Sequence, residues 1–178
     1  MRKVSNLISV PLIMLLLACG KRDPVDEDAV APIAAEAVQQ AAAPAAPGGL
    51  TWTYRQQDRS ALFGPSGSPA LSIQCQKPRE GEAQLIFIRH IAPSSGGNAT
   101  LSFTGNGQAA SLPVSAVMNP GGVGGEWRAM IPPDEHARDV AETFAGPGTV
   151  EVSVSGTPPL VVPSTAEPRR VLADCLSG

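Results

Sequence analysis

Histidine is scarce in this sequence. Its 178 residues include only His90 and His136, and neither belongs to an H-x-x-x-H pair. The chain also lacks a C-x-x-C pair, so a zinc site with three protein ligands would have to recruit scattered carboxylates. We therefore expect no metal and no cofactor. The pattern places His90 at a strand end with its ring tip in water, and His136 at an exposed position in the first turn of a helix.

Basic clusters and phosphate-binding loops are also missing. The largest basic group is the pair Arg169 and Arg170, which is too small for a nucleic-acid-binding surface. The G-x-G-x-x-A string from Gly105 to Ala110 lies in a predicted hairpin turn and not between a strand and a helix. Residues 121–125 lack the Lys and Ser/Thr that end a phosphate loop. We expect neither nucleic acid nor nucleotide as a partner.

Aromatic residues and a complete catalytic motif are lacking as well. Aromatics make up 4% of the chain, too few for a platform on which bases or sugars would stack. Residues 64–68 approach a nucleophile elbow around Ser66, but the closing Gly and the strand-to-helix frame are absent. We therefore expect no enzyme. Because triads are defined by geometry and not by chain order, a serine such as Ser66 acting with His90 or His136 stays open.

No apolar run is long enough to cross a bilayer as a helix. The run from Ile8 to Leu17 is shorter than the about 20 residues that span about 30 Å of hydrocarbon. It follows Arg2 and Lys3 and leads to a small residue, Ala18. Charge, length and order are those of a secretory signal.

The signal ends in Leu16-Leu17-Ala18-Cys19, which resembles the lipobox of bacterial lipoproteins. The resemblance implies that Cys19 carries a diacylglyceryl thioether, that the chain is cut after Ala18, and that the new amino terminus is acylated. Two or three acyl chains anchor a protein stably, whereas one binds only marginally. Gly20, a residue other than Asp, implies the outer membrane under the enterobacterial sorting pattern. We expect a bilayer-anchored protein of the cell envelope that faces the periplasm.

Composition divides the chain into three parts. Residues 1–18 are the signal peptide, residues 19–49 are the lipidated Cys and a disordered tether rich in Ala and Pro, and residues 50–178 are a globular domain. The tether has too few bulky apolar side chains to repay the entropy of ordering. Removal of the signal, with Arg2 and Lys3, leaves 11 basic and 16 acidic residues, a formal charge of −5.

Two cysteines, Cys75 and Cys175, remain once Cys19 is acylated. An oxidising compartment favours their pairing, so we predict a disulfide between them. It would close a loop of about 100 residues, worth up to about 4.7 kcal/mol in the chain-entropy model. Two separate buried thiols are the alternative.

Period-2 alternation predicts short strands through most of the domain. The segment from Ala83 to Ile91 contains a run of four apolar residues and is predicted to be a central strand buried on both faces. Asn106-Gly107 predicts a type I′ hairpin turn. The other predicted strands are Leu50–Tyr54, Leu71–Gln76, Ala99–Thr104, Ala109–Val117, Trp127–Ile131, Val150–Val154 and Leu160–Val162.

Two helices are predicted in the second half of the domain. An apolar stripe marks residues 134–145 as an amphipathic helix, and Ser164 with Glu167 is predicted to form a capping box that opens a last helix containing Cys175. Many short strands and two late helices indicate a mainly β fold, an antiparallel β-sandwich or a half-open barrel with short helices.

The order of elements from Ala70 onward is similar to that of the invasion-associated locus B type of secreted proteins from alphaproteobacteria. The resemblance rests on the strand ending at Cys75, the strand ending at Arg89, the helix after Pro133 and the segment from Leu160 to Pro163, followed by Arg169, Arg170 and Cys175. It implies a fold and carries no catalytic motif.

The combined pattern predicts a non-catalytic envelope lipoprotein whose domain binds an unknown envelope protein or maintains the envelope. Candidate partner-binding residues are Trp52, Tyr54 and Arg55 beside the tether, and the pair Arg169 and Arg170. Core packing and solvated charge are the alternative roles of these five. A hydrolase, or an inhibitor of a hydrolase, acting on the envelope is the rival function.

Overall fold

The computed structural model describes residues 47–94 and 97–177. The predicted signal peptide, the lipid-bearing Cys19 and residues 20–46 of the predicted tether lie outside the described residues. None of the helices in the described part combines the length and the apolar character that crossing a membrane requires.

Nine strands form one antiparallel sheet that curls into a half-open barrel, so the mainly β prediction is confirmed. After a short 3-10 turn at Pro47–Gly49, the sheet order is β1-β2-β3-β4-β7-β6-β5-β8-β9. The strands are β1 (Trp52–Arg55), β2 (Ser60–Phe63), β3 (Leu71–Gln76), β4 (Gln84–Arg89), β5 (Asn98–Gly105), β6 (Gln108–Met118), β7 (Gly125–Ile131), β8 (Thr149–Val154) and β9 (Leu160–Pro163).

The two edge strands meet through a side chain. The indole Nε1 of Trp52 in β1 donates a hydrogen bond of 2.8 Å to the carbonyl oxygen of Pro163 in β9. Trp52 is buried, and buried indole N–H groups usually require such an acceptor. The two edge strands of the curled sheet are therefore joined at this point by one hydrogen bond within the hydrophobic core.

Alternate residues of the strands fill the concave side of the sheet with a continuous core. Four aromatic rings run through it in sequence from Phe63 to Trp52, Phe144 and Phe103, with centroid separations of 5.3, 6.3 and 6.3 Å. Phe87 extends the chain, 5.5 Å from Phe103. These edge-to-face and tilted contacts join β1, β2, β4 and β5 to the end of the first helix.

Helix α1 spans Glu135–Thr143 and helix α2 spans Ala166–Leu176. The Asp134 side chain caps α1 by accepting from the backbone N–H of His136 and of Ala137, as N-cap residues do. The predicted capping box at α2 is wrong. The N-cap of α2 is Thr165, whose side chain makes no capping hydrogen bond. The Ser164 hydroxyl instead donates to the Phe144 carbonyl oxygen.

The predicted disulfide is present. It joins Cys75 in β3 to Cys175 in α2, with 5.5 Å between their Cα atoms. Helix α2 is thus attached covalently to β3, the third strand in the sheet order.

One strand, β2, was missed by the sequence analysis. All four of its residues are buried, and the three that follow Ser60 are all apolar, so this short segment shows no alternation of polar and apolar residues. Its position between β1 and β3 is set by pairing with both.

Pro113 in β6 limits the pairing of the sheet. Proline has no N–H to donate, and the β6–β7 register begins only at Ser115.

Asn106 does more than form the predicted hairpin turn. Its backbone has φ 53° and that of Gly107 has φ 78°, as a type I′ turn requires. Its side chain also donates to the Thr143 carbonyl oxygen at 2.7 Å and accepts from the Gly148 N–H at 3.1 Å. The turn therefore fixes the segment between α1 and β8.

Asn106→Gly is expected to lower the free energy of unfolding by about 1–3 kcal/mol, since glycine keeps the positive φ but removes both hydrogen bonds. Urea unfolding followed by circular dichroism measures the loss. Asn119→Gly, a change in an exposed loop, is the matched control and should cost less than about 0.5 kcal/mol. Equal effects of the two variants would contradict the bridging role of Asn106.

Candidate functional site

A polar network lies on the convex face of the sheet. Ser72 in β3 pairs in register with Ile88 in β4, which pairs with Arg128 in β7. The next register pair is Arg89 with Trp127. One residue beyond this pair are His90, which directly follows β4, and Glu126 in β7. Because side chains alternate between faces, Ser72, His90, Glu126 and Arg128 all project to the face opposite the core.

The network has the order of a serine–histidine–acid triad. The Ser72 Oγ and His90 Nε2 atoms are 2.8 Å apart, and the His90 Nδ1 and Glu126 Oε2 atoms are 3.2 Å apart. Arg128 forms an ion pair with the other oxygen of Glu126. In hydrolases this order lets the histidine accept the serine proton while the acid orients the ring.

Burial lowers the pKa of His90 below its ordinary value. The Glu126 carboxylate raises the pKa, whereas Arg89 and Arg128 lower it further. A neutral ring whose Nδ1–H donates to Glu126 leaves Nε2 to accept the Ser72 hydroxyl hydrogen. The four side chains therefore form a connected hydrogen-bond chain at neutral pH.

The position of Ser72 does not suit a nucleophile. It is the second residue of β3, paired with Leu62 on one side and Ile88 on the other, so its backbone belongs to the sheet. Ser72 is 1% exposed. A nucleophile elbow instead presents its serine on a sharp turn beside free N–H donors.

Acidification is expected to destabilise the domain through His90. Its folded-state pKa lies below the ordinary 6.5, so the unfolded chain takes up the proton first as the pH falls. The free energy of unfolding should then be fully maintained above pH 6.5, the ordinary pKa of histidine, and should decrease as the pH falls below 6.5.

Urea unfolding at about pH 7.5 and about pH 5.5 tests this linkage. His90→Gln should lose part of the pH dependence, while His136→Gln, which removes an exposed imidazole, is the matched control. An identical dependence in wild type and His90→Gln would contradict the assignment.

A second feature is a groove at the opposite end of β3. Its volume is about 720 Å³, and residues of the β1–β2 turn, β3 and the β3–β4 loop line it. Four glutamines contribute, Gln57, Gln74, Gln76 and Gln84, next to the disulfide-bonded Cys75. Amide side chains both donate and accept hydrogen bonds without carrying charge. The groove suits a polar chain such as a peptide.

The charged residues of this groove have both signs. Asp58, Glu80 and Glu82 line it together with Arg59 and Lys77. A mixed lining does not select a ligand of strong single charge, because attraction to one sign is offset by repulsion from the other. The groove is therefore suited to a partner that also has both signs.

The five candidate partner-binding residues occupy different environments. Trp52 is buried in the core, whereas Arg55 is exposed and 3.7 Å from Asp58. The Arg170 guanidinium lies 4.2 Å from the centre of the half-buried Tyr54 ring, a cation–π contact between α2 and β1. Arg169 is exposed, and its Nε donates to the Thr165 carbonyl oxygen. The structure brings only Tyr54 and Arg170 into contact.

The placement of His90 differs from the prediction. Its ring is 28% exposed and both ring nitrogens have protein partners, so the expectation of a tip in water is wrong for His90. His136 is exposed on α1 as predicted. Sequence reasoning missed Ser72, Glu126 and Arg128 because only the strand register places them beside His90.

Within the described ranges, no group of three His, Cys, Asp or Glu side chains is arranged to hold a metal ion.

Comparison with known proteins gave no relative: the chain matches no protein-family model, no curated protein and no solved structure. The resemblances to bacterial lipoproteins and to the invasion-associated locus B type therefore stay predictions from the sequence.

Proposed function

We propose that this protein is a lipid-anchored lipoprotein of the bacterial cell envelope whose half-barrel domain is a non-catalytic binding module for another envelope protein. The lipobox-like Leu16–Cys19 segment supports the anchor, with the outer membrane and the periplasm as the expected location. The observation that carries the binding role is the glutamine-lined groove beside the disulfide.

The groove is supported by rigid elements. Its floor is the end of β3, which β2 and β4 flank in the sheet, and Cys75 in that segment is bonded to α2. Gln76 and Gln84 are register partners on β3 and β4 and both are exposed. A preorganised surface loses little entropy on binding, so its polar contacts contribute more to affinity.

Crosslinking in intact cells, followed by purification of the full-length protein, tests the binding role. We expect a stoichiometric envelope protein to be captured, and the double variant Gln76→Ala/Gln84→Ala to reduce capture at least about tenfold, as loss of central interface contacts does. Gln56→Ala/Gln108→Ala removes two exposed glutamines outside the groove and is the matched control. Equal capture by both double variants would contradict the groove as the binding site.

Acylation is tested separately by mass spectrometry of the protein purified from membranes. The expected mature form begins at Cys19 and has the added mass of two or three acyl chains. An unprocessed amino terminus, or a mature form without acyl mass, would contradict the anchor.

The hydrogen-bond order Ser72–His90–Glu126 is the one observation that supports a second candidate, a hydrolase acting on envelope esters or peptidoglycan, although Ser72 itself is buried. Turnover of such substrates by the wild-type protein, abolished by Ser72→Ala and kept by Ser66→Ala, would establish it in place of the non-catalytic role. Capture of a hydrolase whose activity then falls would instead assign the domain as an inhibitor.

A further inference from the structure

The two ends of the sheet differ in charge. Each strand is antiparallel to its neighbours, so the segments that join the strands leave from alternate ends. One end, which we name the uncharged end after its connecting segments, consists of residues 47–51, 64–70, 91–94, 97, 119–124 and 155–159. These segments contain no Asp, Glu, Lys or Arg.

The opposite end is rich in charge. Residues 56–59 contain Asp58 and Arg59, and residues 77–83 contain Lys77, Arg79, Glu80 and Glu82. The glutamine-lined groove lies at this charged end. Apart from the uncharged Asn106-Gly107 turn between β5 and β6, the connections of this end thus differ in charge from those of the uncharged end.

The uncharged end also carries exposed apolar side chains. Val123, in the loop between β6 and β7, is 83% exposed, and Met118 at the end of β6 is 38% exposed. Gly121, Gly122 and Gly124 in this loop have positive φ, a conformation that residues with side chains rarely adopt. The loop backbone therefore holds Val123 in solvent and not against the core.

The chain enters the domain at this end. Residues 47–51 lead directly into β1 at Trp52, so the tether joins the uncharged end. A lipid attached to Cys19 would be connected to the domain from that side.

We propose that the uncharged end lies against the bilayer in which Cys19 is anchored, with Val123 and Met118 among the lipid headgroups and the groove facing away from the membrane. The proposal rests on the lipid anchor of the proposed function. The connecting segments of this end contain no ionised side chain that would lose hydration at the bilayer interface, and Glu126 and Arg128 at the adjoining end of β7 are already paired with each other.

Lipid contact can be measured on the full-length protein with its acylation verified by mass spectrometry. The protein is reconstituted into vesicles of phosphatidylethanolamine and phosphatidylglycerol that contain lipids with a nitroxide quencher near the headgroup. One introduced cysteine carries a fluorophore: Val123→Cys or Ser66→Cys at the uncharged end, or Glu80→Cys at the charged end. All three positions are exposed.

We expect several-fold stronger quenching at positions 123 and 66 than at position 80. In protein labelled at position 66, Val123→Asp should reduce the quenching several-fold because the carboxylate would have to lose water, whereas Val123→Thr, similar in size and uncharged, should keep most of it. Equal quenching at the three positions, or the strongest at position 80, would overturn the orientation while leaving the anchor intact. Absence of acyl mass would instead overturn the anchor, and with it the proposal.

Discussion

Replacing both Cys75 and Cys175 with alanine is expected to lower the free energy of unfolding by about 2–5 kcal/mol, the range for loss of a native disulfide from a small secreted domain. The two residues are 100 positions apart in the chain, so the bond removes much of the freedom of the unfolded state. Both are buried. The double variant avoids a single thiol that could react elsewhere.

Equilibrium unfolding in urea measures this loss, and the wild-type protein unfolded under reducing conditions is the internal control. The reduced protein and the double variant should have similar stabilities, because both lack the same constraint. A loss below about 1 kcal/mol, less than the range expected for a native disulfide, would show that packing alone holds α2 on the sheet.

Phe144→Ala is expected to cost about 3–5 kcal/mol, as truncation of a buried aromatic residue does. The Phe144 side chain is fully buried and its ring centroid is 6.3 Å from those of Trp52 and Phe103. Its backbone also ends α1 and accepts from the Ser164 hydroxyl. Removal of the ring would leave a cavity between Trp52, Phe103 and the end of α1.

Phe144→Leu is the matched control for this substitution. Leucine fills most of the volume and should cost less than about 1.5 kcal/mol. The near-ultraviolet circular dichroism of Trp52 should weaken in the alanine variant, because its aromatic neighbour is lost. If leucine and alanine destabilised the protein equally, the shape of the aromatic cluster and not its volume would control the stability.

The proposed function and the proposed orientation fit together physically. A tether entering at the uncharged end would leave the charged end, with its glutamine-lined groove, accessible to a partner in the periplasm. The disulfide lies next to this groove, so its loss is expected to affect binding as well as stability. Capture of the partner by the double cysteine variant therefore reports whether the groove depends on the covalent link.

Much of the fold could be predicted from local patterns. The alternation of Leu71, Ile73 and Cys75 indicates that Cys75 points inward, and the disulfide confirms that placement. Asn106-Gly107 specified its turn because only a few residues adopt two successive positive φ values. The apolar stripe that ends at Phe144 also specified α1 locally, because its residues form a single apolar face at helical spacing.

The candidate sites could not be predicted in this way. Ser72, His90 and Glu126 are distant in sequence and come together because β4 pairs with β3 on one side and with β7 on the other. That β4–β7 pairing skips two strands, and no local signal encodes it. The role of Ser164 likewise depended on a tertiary contact. Its hydroxyl donates to the Phe144 carbonyl oxygen at the end of α1 and does not form the capping box with Glu167 that the sequence indicated.

The sequence by itself determined eight of the nine strands, the Asn106-Gly107 turn, the two helices and the pairing of Cys75 with Cys175, because each depends on residues close in the chain or on the count of cysteines. Only the tertiary structure decided the curl that joins Trp52 to Pro163, the network around His90 and the separation of charged from uncharged connections. These follow from strand order and register, which are set by the packing of distant segments around one shared core.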